Sequence, residues 1–189
     1  MADGHLGIWA AFGEMHPTGT EQRCWNHKIA NVLNDLPKTV QRQAAERLKA
    51  MPYAETQGEC ERLRDAFVRT YHKTDKKAVE TLFRDWDRMV TFYSFPREHW
   101  RHIRTTNIVE SPFSSVRLRT DASRRYKRVA GATAIIWKML RVAEQAWRTL
   151  NASELLPLVA SGMTFKDGIA LKSGHERNHL DHQPERTAA

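Results

Sequence analysis

Val79-Glu80-Thr81-Leu82-Phe83-Arg84-Asp85-Trp86-Asp87-Arg88-Met89-Val90-Thr91-Phe92-Tyr93 is the stretch on which the reading of the fold turns. Apolar side chains at 79, 82, 83, 86, 89 and 93 keep the three-and-four spacing of a single helix face, with charged residues between them. Two similar stripes precede it, Val40, Ala44, Leu48 and Met51, then Leu63, Ala66, Phe67, Thr70 and Tyr71. Pro37, Pro52 and Pro96 separate and close them, because a proline removes a helix hydrogen bond and clashes with the preceding turn. Residues 28–96 therefore predict an all-helical block packed on itself.

Working outward toward the N-terminus, Gln22-Arg23-Cys24-Trp25 has the mixture of a short strand. A lone strand has no stability without sheet partners. The sequence supplies no other convincing strand, so either the segment is not a strand or its partners lie on residues outside this chain. Further out, Asp3-Gly4 reads as a turn, and Leu6, Ile8, Trp9, Phe12 and Met15 mark a helix ended by Pro17-Thr18-Gly19. On the other side of Pro96 lies a polar, basic stretch. An amphipathic helix follows over 132–150, with Ile136, Leu140, Ala143, Trp147 and Leu150 on one face and Lys138, Arg141, Glu144, Gln145 and Arg148 on the other. Residues 172–189 are polar and His-rich and predict a flexible tail.

Composition narrows the class. Hydrophobic residues make up 41% of the 189, enough for a core. No apolar run approaches the roughly 20 residues of a membrane span, and no basic-then-apolar start reads as a signal peptide. Two cysteines make no disulfide framework, so a reducing, cytoplasmic setting is expected. The net charge is +8, and residues 97–148 hold twelve Lys and Arg against four Asp and Glu, so the whole excess sits there. Such a local excess is the footprint of a phosphate-binding surface. The competing reading is a solvated basic face with no partner.

Two groups of residues carry chemistry. Cys24-x-x-His27 with His99-x-x-His102 has the ligand types of a Cys/His₃ zinc site, although the two pairs lie far apart in sequence. Against it stands a Cys24 that is simply a small buried hydrophobe. His175, His179 and His182 in the tail would share a helix face, with no other ligands beside them. Asp3 and Glu110 are the second group. Taken alone, Asp3 reads as a cap for the helix near Leu6, and Glu110 as the partner of an N-cap at Asn107.

The local sequences add to this. Asp3-Gly4-His5-Leu6-Gly7-Ile8-Trp9-Ala10-Ala11-Phe12, then Gln22-Arg23-Cys24-Trp25-Asn26-His27-Lys28-Ile29-Ala30-Asn31-Val32-Leu33, then Arg104-Thr105-Thr106-Asn107-Ile108-Val109-Glu110-Ser111 resemble, in this order, the Mutator-type insertion-sequence transposases. Phe95-Pro96-x-x-His99-Trp100 and Phe165-x-Asp167-Gly168-Ile169 extend the resemblance to about residue 171. It implies a ribonuclease-H-like fold with an Asp-Asp-Glu triad and a helical insertion between the second Asp and the Glu. By motif, Asp3 matches the second aspartate, Glu110 the glutamate, and Cys24 and His27 the family's Cys-x-x-His signature. Asp3 and Glu110 are then the catalytic and metal-binding residues, and Mg²⁺ or Mn²⁺ the cofactor. Two such ions activate a water or a 3′-hydroxyl and stabilise the leaving oxygen when a phosphodiester is cut. Arg101, Arg104, Arg117, Arg119, Arg124, Arg125, Lys127 and Arg128 would face DNA phosphates. Trp100 stacks on an unpaired base or sits in the core.

The match departs from the family in two places. The first aspartate has no candidate, since two residues precede Asp3. Pro112 follows Ser111, whereas the family carries a proline just after the Asn, where Ile108 stands here. A helix from Ile108 would place Pro112 in its interior, at a cost of about 3 kcal/mol; a helix capped by Ser111 would place it comfortably at the first position. The expected fold is thus mainly α: the C-terminal remnant of a ribonuclease-H-like α/β fold, with 1–27 and 97–171 as a partial catalytic region and 28–96 as the helical insertion. The expected function is DNA strand cleavage and transfer at transposon ends, in a truncated copy lacking one triad carboxylate. The alternatives are a non-catalytic DNA-binding remnant, acting as a homo-oligomer or in mixed assembly with a full-length transposase, and a helical interaction protein.

Overall fold

A computed structural model of the protein describes residues 1–123 and 125–171, without the side chains of Ile108 and Val109. The expected tail with its three histidines, and Arg124, lie outside the described residues. The chain is mainly helical: α1 (Leu6–Met15), α2 (Trp25–Asn34), α3 (Lys38–Ala50), α4 (Gln57–Tyr71), α5 (Lys76–Phe83), α6 (Trp86–Val90), α7 (Trp100–Ile103), α8 (Asn107–Ala122), α9 (Val129–Glu144) and α10 (Leu156–Ala160). A two-stranded antiparallel hairpin, β1 (Phe165–Lys166) and β2 (Ile169–Ala170), closes the described chain.

One core unites α2 to α7. Trp25, Val32, Ala44, Leu48, Met51, Cys60, Phe67, Ala78, Leu82, Met89 and Phe92 are fully or almost fully buried in it. The Trp25 indole meets Trp86 edge-on, with ring centroids 5.8 Å apart, and its N–H donates to Met89 O at 2.9 Å. A buried indole needs such an acceptor, since its one polar atom has otherwise lost water. The three predicted stripes supply this core, except that Thr70 and Phe83 face solvent.

The stretch 79–93 is not one continuous helix. α5 stops at Phe83, and Asp85 takes a left-handed conformation (φ 59°) before α6 begins. Two side chains, one from the first turn of α2 and one two residues before it, hold this break. Arg23 pairs with the Asp85 carboxylate, and the fully buried Lys28 donates its ammonium to Thr81 O at 2.8 Å and to Arg84 O. A cation there satisfies carbonyls left over at the C-terminus of α5. Periodicity could not reveal the break, because the partners that stabilise it lie more than fifty residues away in sequence.

The candidate strand at 21–25 makes a single parallel bridge, Ala2 with Arg23. Ala2 N donates to Gln22 O at 3.1 Å, and Cys24 N to Ala2 O at 2.8 Å. The Asp3-Gly4 turn forms as expected, with Gly4 at φ +100° packed against the Arg23 guanidinium. At the other end, Asp167 (φ 50°) and Gly168 (φ 83°) form the two-residue turn of the hairpin, which matches the twist of paired strands. The Asp167 carboxylate accepts from Gln57 N at 2.7 Å at the start of α4, so the hairpin is fastened to the helical core.

Outside this core the helices are sparsely covered. α8 and α9 pack on each other as an antiparallel arm in which Val116 is buried and no residue of α9 is. The predicted helix at 132–150 runs instead over Val129–Glu144. Trp137 is 63% exposed there, and Leu6 on α1 is 81% exposed.

Two outcomes follow from this packing. Leu48→Ala should cost about 2–5 kcal/mol in urea unfolding through the cavity it leaves, while Trp137→Ala should stay within about 0.5 kcal/mol. Lys28 is lowered to about 8, first by burial and then by the nearby Arg23 and Arg84 charges, with Asp85 opposing. Between pH 8 and 10.5 the unfolded chain holds a proton that the fold does not, so stability rises with pH there. The unfolding free energy of the wild type relative to Lys28→Met should therefore move in favour of the wild type across that window.

Candidate active site

Three segments meet beside the first turn of α2. The first is the Ala2–Gly4 turn, the second Cys24 to His27, the third the connection from α7 into α8. Backbone bonds join them: Cys24 N to Ala2 O at 2.8 Å, and Trp25 N to Arg104 O at 3.0 Å. Asn26 Nδ2 donates to Asn107 Oδ1 at 2.9 Å across the same seam.

Thr106 sits at the centre. It is 8% exposed, and its hydroxyl touches three functional side chains: Cys24 Sγ at 3.2 Å, His27 Nδ1 at 3.4 Å and the Glu110 carboxylate. Its backbone N–H also donates to Cys24 Sγ, at 3.3 Å. His27 Nδ1 lies 3.8 Å from Glu110 Oε1. Burial pushes the Cys24 thiol up, but hydrogen bonds from Thr106 and His27 outweigh it, and its pKa is lowered. The His27 imidazole moves the other way. Its bond to Cys24 raises its pKa most, burial opposes, and the charges of Cys24, Glu110 and Asp3 raise it further. The structure therefore brings three of the side chains singled out by motif, Cys24, His27 and Glu110, together around Thr106, and the nearby Asp3 charge contributes to raising the His27 pKa.

Asp3 and Glu110 are held differently. Asp3 is exposed, and its Oδ1 accepts from His5 N at 3.0 Å; His5, not Asp3, then caps α1 by accepting from Gly7 N. Glu110 lies in the first turn of α8, where the helix dipole favours a carboxylate. The helix begins at Asn107 with Pro112 in its interior, so of the two geometries weighed above the costlier one is adopted. Asn107 is its first residue rather than its cap.

The zinc grouping does not assemble. His99 Nε2 bonds Ala152 O at 3.0 Å, and His102 Nε2 accepts from Asn151 N at 3.2 Å, so both histidines hold the 151–152 loop. Among the described residues no group of three or more His, Cys, Asp and Glu is placed to hold a metal ion. Trp100 is 5% exposed, edge-on to Phe92 and Tyr93, and belongs to the core. Of the cationic residues, Arg101, Arg117, Arg119, Arg125, Lys127 and Arg128 are exposed, while Arg104 is half-buried and donates to Pro52 O.

Thr106 was missed as a site residue. The signal available was its position inside the Thr105-Thr106-Asn107 motif, which says nothing of what its hydroxyl touches. A direct consequence concerns His27. In buffer free of divalent ions its ring proton resonance should titrate above the ordinary histidine value. Cys24→Ser should lower that midpoint most, and Glu110→Gln should lower it less.

This chain is similar to known proteins over most of its length. Residues 1–149 match the model of the Mutator family of transposases. The transposase for insertion sequence element IST2 of Acidithiobacillus ferrooxidans is 41% identical over 169 residues, covering 89% of this chain and 57% of that protein. The transposase for insertion sequence element IS6120 of Mycolicibacterium smegmatis is 39% identical over 172 residues, covering 91% and 53%. The chain thus spans about half the length of these two curated relatives. With the family model matched over more than three quarters of its residues, the chain belongs to the Mutator family of transposases.

Proposed function

We propose that the protein acts on DNA in transposition, gripping transposon ends with its basic arm and contributing Asp3 and Glu110 to the strand-cleaving centre of a DDE mechanism. The observation that carries this reading is the contact of Glu110 with the Cys24–His27–Thr106 cluster, beside which the backbone bond from Cys24 N to Ala2 O places the segment that carries Asp3, 107 positions away in sequence. The Ala2–Arg23 parallel bridge supports a remnant of the ribonuclease-H-like sheet beside that cluster, with the helical core as the insertion between the two carboxylates.

The donor chemistry fits a divalent metal in part. Mg²⁺ takes hard oxygens, commonly one or two carboxylates, and fills its other positions with water and substrate phosphate. Asp3 and Glu110 are both solvent-accessible carboxylates of that kind. A bound Mg²⁺ or Mn²⁺ would stabilise charge on the attacking and leaving oxygens of a phosphodiester. Glu110 would present its carboxylate in the orientation fixed by Thr106 and His27, and Asp3 would be aimed by the Gly4 turn. These residues hold two of the three carboxylates of the mechanism. They bind DNA and an ion, and the third carboxylate is needed for cutting. A longer transposase in mixed assembly is the source we propose for it.

The grip follows from charge. Arg117, Arg119, Arg125, Lys127 and Arg128 are exposed on the arm, and the described ion pairs leave them out. Each phosphate contact contributes about −0.9 to the slope of log K against log salt.

The test is supercoiled plasmid incubated with folded protein and Mg²⁺ or Mn²⁺, beside Glu110→Gln and the double variant Arg117→Ala, Arg119→Ala. The expected result is DNA binding that weakens with salt and no cleavage, with the salt slope shallower by about 2 in the double variant. Cleavage abolished by Glu110→Gln would show a complete centre and overturn the requirement for a third carboxylate. Absence of DNA binding would defeat the reading as a whole.

A further inference from the structure

A cleft of about 300 Å³ lies between the Met51–Tyr53 turn, the segment from Arg97 to Arg104 and Asn151. Its lining includes Tyr53, Arg97, Glu98, Arg101, Arg104 and Asn151. Three guanidinium groups against the Glu98 carboxylate, with Arg97 also 3.5 Å from the exposed Glu55 carboxylate, leave the lining net positive and suited to an anion. Its volume is at the small end of ligand sites.

Tyr53 gives the cleft a second chemistry. The ring is 73% exposed, and the Arg104 guanidinium lies 4.5 Å from its centroid. Arg104 is itself fixed by its bond to Pro52 O and by the Phe92 ring 5.9 Å away. Tyr53 is thus an aromatic plate backed by a cation and open to solvent. Successive bases of single strands stack on such plates, and guanidinium groups nearby take the phosphates.

The opposite wall is built rather than incidental. The loop at Asn151-Ala152 is pinned by His102 and His99, and Ala152 is held at φ 49°, a left-handed conformation that a non-glycine residue avoids. Surroundings that over-determine such a residue are common at ligand-holding sites.

Position relates the cleft to the carboxylates. Arg104 precedes Thr106 by two residues, which puts their Cα atoms within about 7.6 Å. Arg104 O also accepts the bond from Trp25 N that fixes the start of α2. A DNA strand at Glu110 and a nucleotide in the cleft are therefore served by one short turn of chain.

We infer that this cleft holds a single unpaired nucleotide of the DNA strand, its base stacked on Tyr53 and its phosphate held by Arg97 and Arg101. The inference rests on the proposed action on DNA and names the part of the substrate that this surface reads.

The full chain is titrated with two fluorescent probes, a 20-base-pair duplex and the same duplex with one central unpaired 2-aminopurine. Anisotropy reports affinity, and 2-aminopurine quenching reports stacking. The bulged duplex should bind about tenfold more tightly, with quenching. Tyr53→Ala should erase both the preference and the quenching and leave duplex affinity unchanged, Tyr53→Phe should retain both, and Arg101→Ala should weaken the bulged complex. Tyr53 is exposed enough for these variants to keep the core, which tryptophan emission verifies. Equal affinities for the two probes, or a preference indifferent to Tyr53→Ala, would overturn the inference while salt-dependent duplex binding left the functional reading standing. Failure to bind either probe would overturn both.

Discussion

The backbone of Cys24 and Trp25 is the point where the chain is stitched together. Cys24 N reaches Ala2 O, Trp25 N reaches Arg104 O, and the Trp25 indole reaches Met89 O inside the core. The two backbone donors could not otherwise be satisfied by α2, because the first N–H groups of a helix have no partner within it, and the buried indole N–H needs an acceptor in the core. Their need for acceptors therefore draws the N-terminal turn, the end of α7 and α6 to one place. Lys28, one turn further along α2, fastens the break at Arg84 in the same way. The candidate site is a by-product of this economy: the buried Cys24 and the half-buried His27 flank the helix start whose Trp25 lies in the core.

How much of this was legible beforehand depends on the range of the interaction. The stripes at 40–51, 63–71 and 79–93 placed Leu48, Phe67, Leu82 and Met89 in the core, because helical burial repeats locally. Phe92 and Cys60, equally buried, fell off those stripes. The break at Asp85 was invisible because Arg23 and Lys28 cause it from afar. The hairpin at 165–170 runs against the expectation of no further strand: its two-residue strands are too short to show a pattern, the Asp167-Gly168 pair is its one local sign, and its attachment to Gln57 is a long-range fact. In the site, motif order identified Asp3, Cys24, His27 and Glu110, whereas Thr106 and the diversion of His99 and His102 to the 151–152 loop needed coordinates. Pro112 shows the limit of local energetics: the comfortable alternative lost because a helix starting at Asn107 makes the seam with Asn26 and brings Glu110 to Thr106.

Charge and apolar exposure divide the molecule in the same place. The core is ringed by paired charges such as Asp35 with Lys77 and Arg88 with Glu21. The arm of α8 and α9 carries exposed Arg117, Arg119, Arg125, Lys127 and Arg128, which the described ion pairs leave out, together with exposed Leu118, Val129, Trp137 and Val142. Core stability and the charge of the arm are therefore set by different residues.

The hub at Thr106 has a direction that follows from counting protons. A hydroxyl has one hydrogen and two lone pairs. Glu110, as a carboxylate, can only accept, so when the hydroxyl donates to it, contacts with Cys24 and His27 require those groups to donate or to be held elsewhere. A protonated His27 ring would donate through Nδ1 to Thr106 Oγ1, and Cys24 Sγ accepts from Thr106 N–H. Burial raises the Cys24 pKa but bonds from Thr106 and His27 bring it below the ordinary thiol value, while the His27 pKa is raised most by its bond to Cys24. Cys24, His27 and Glu110 thus share one hydroxyl, and the geometry of the Cys-x-x-His signature bears on how the Glu110 carboxylate is held.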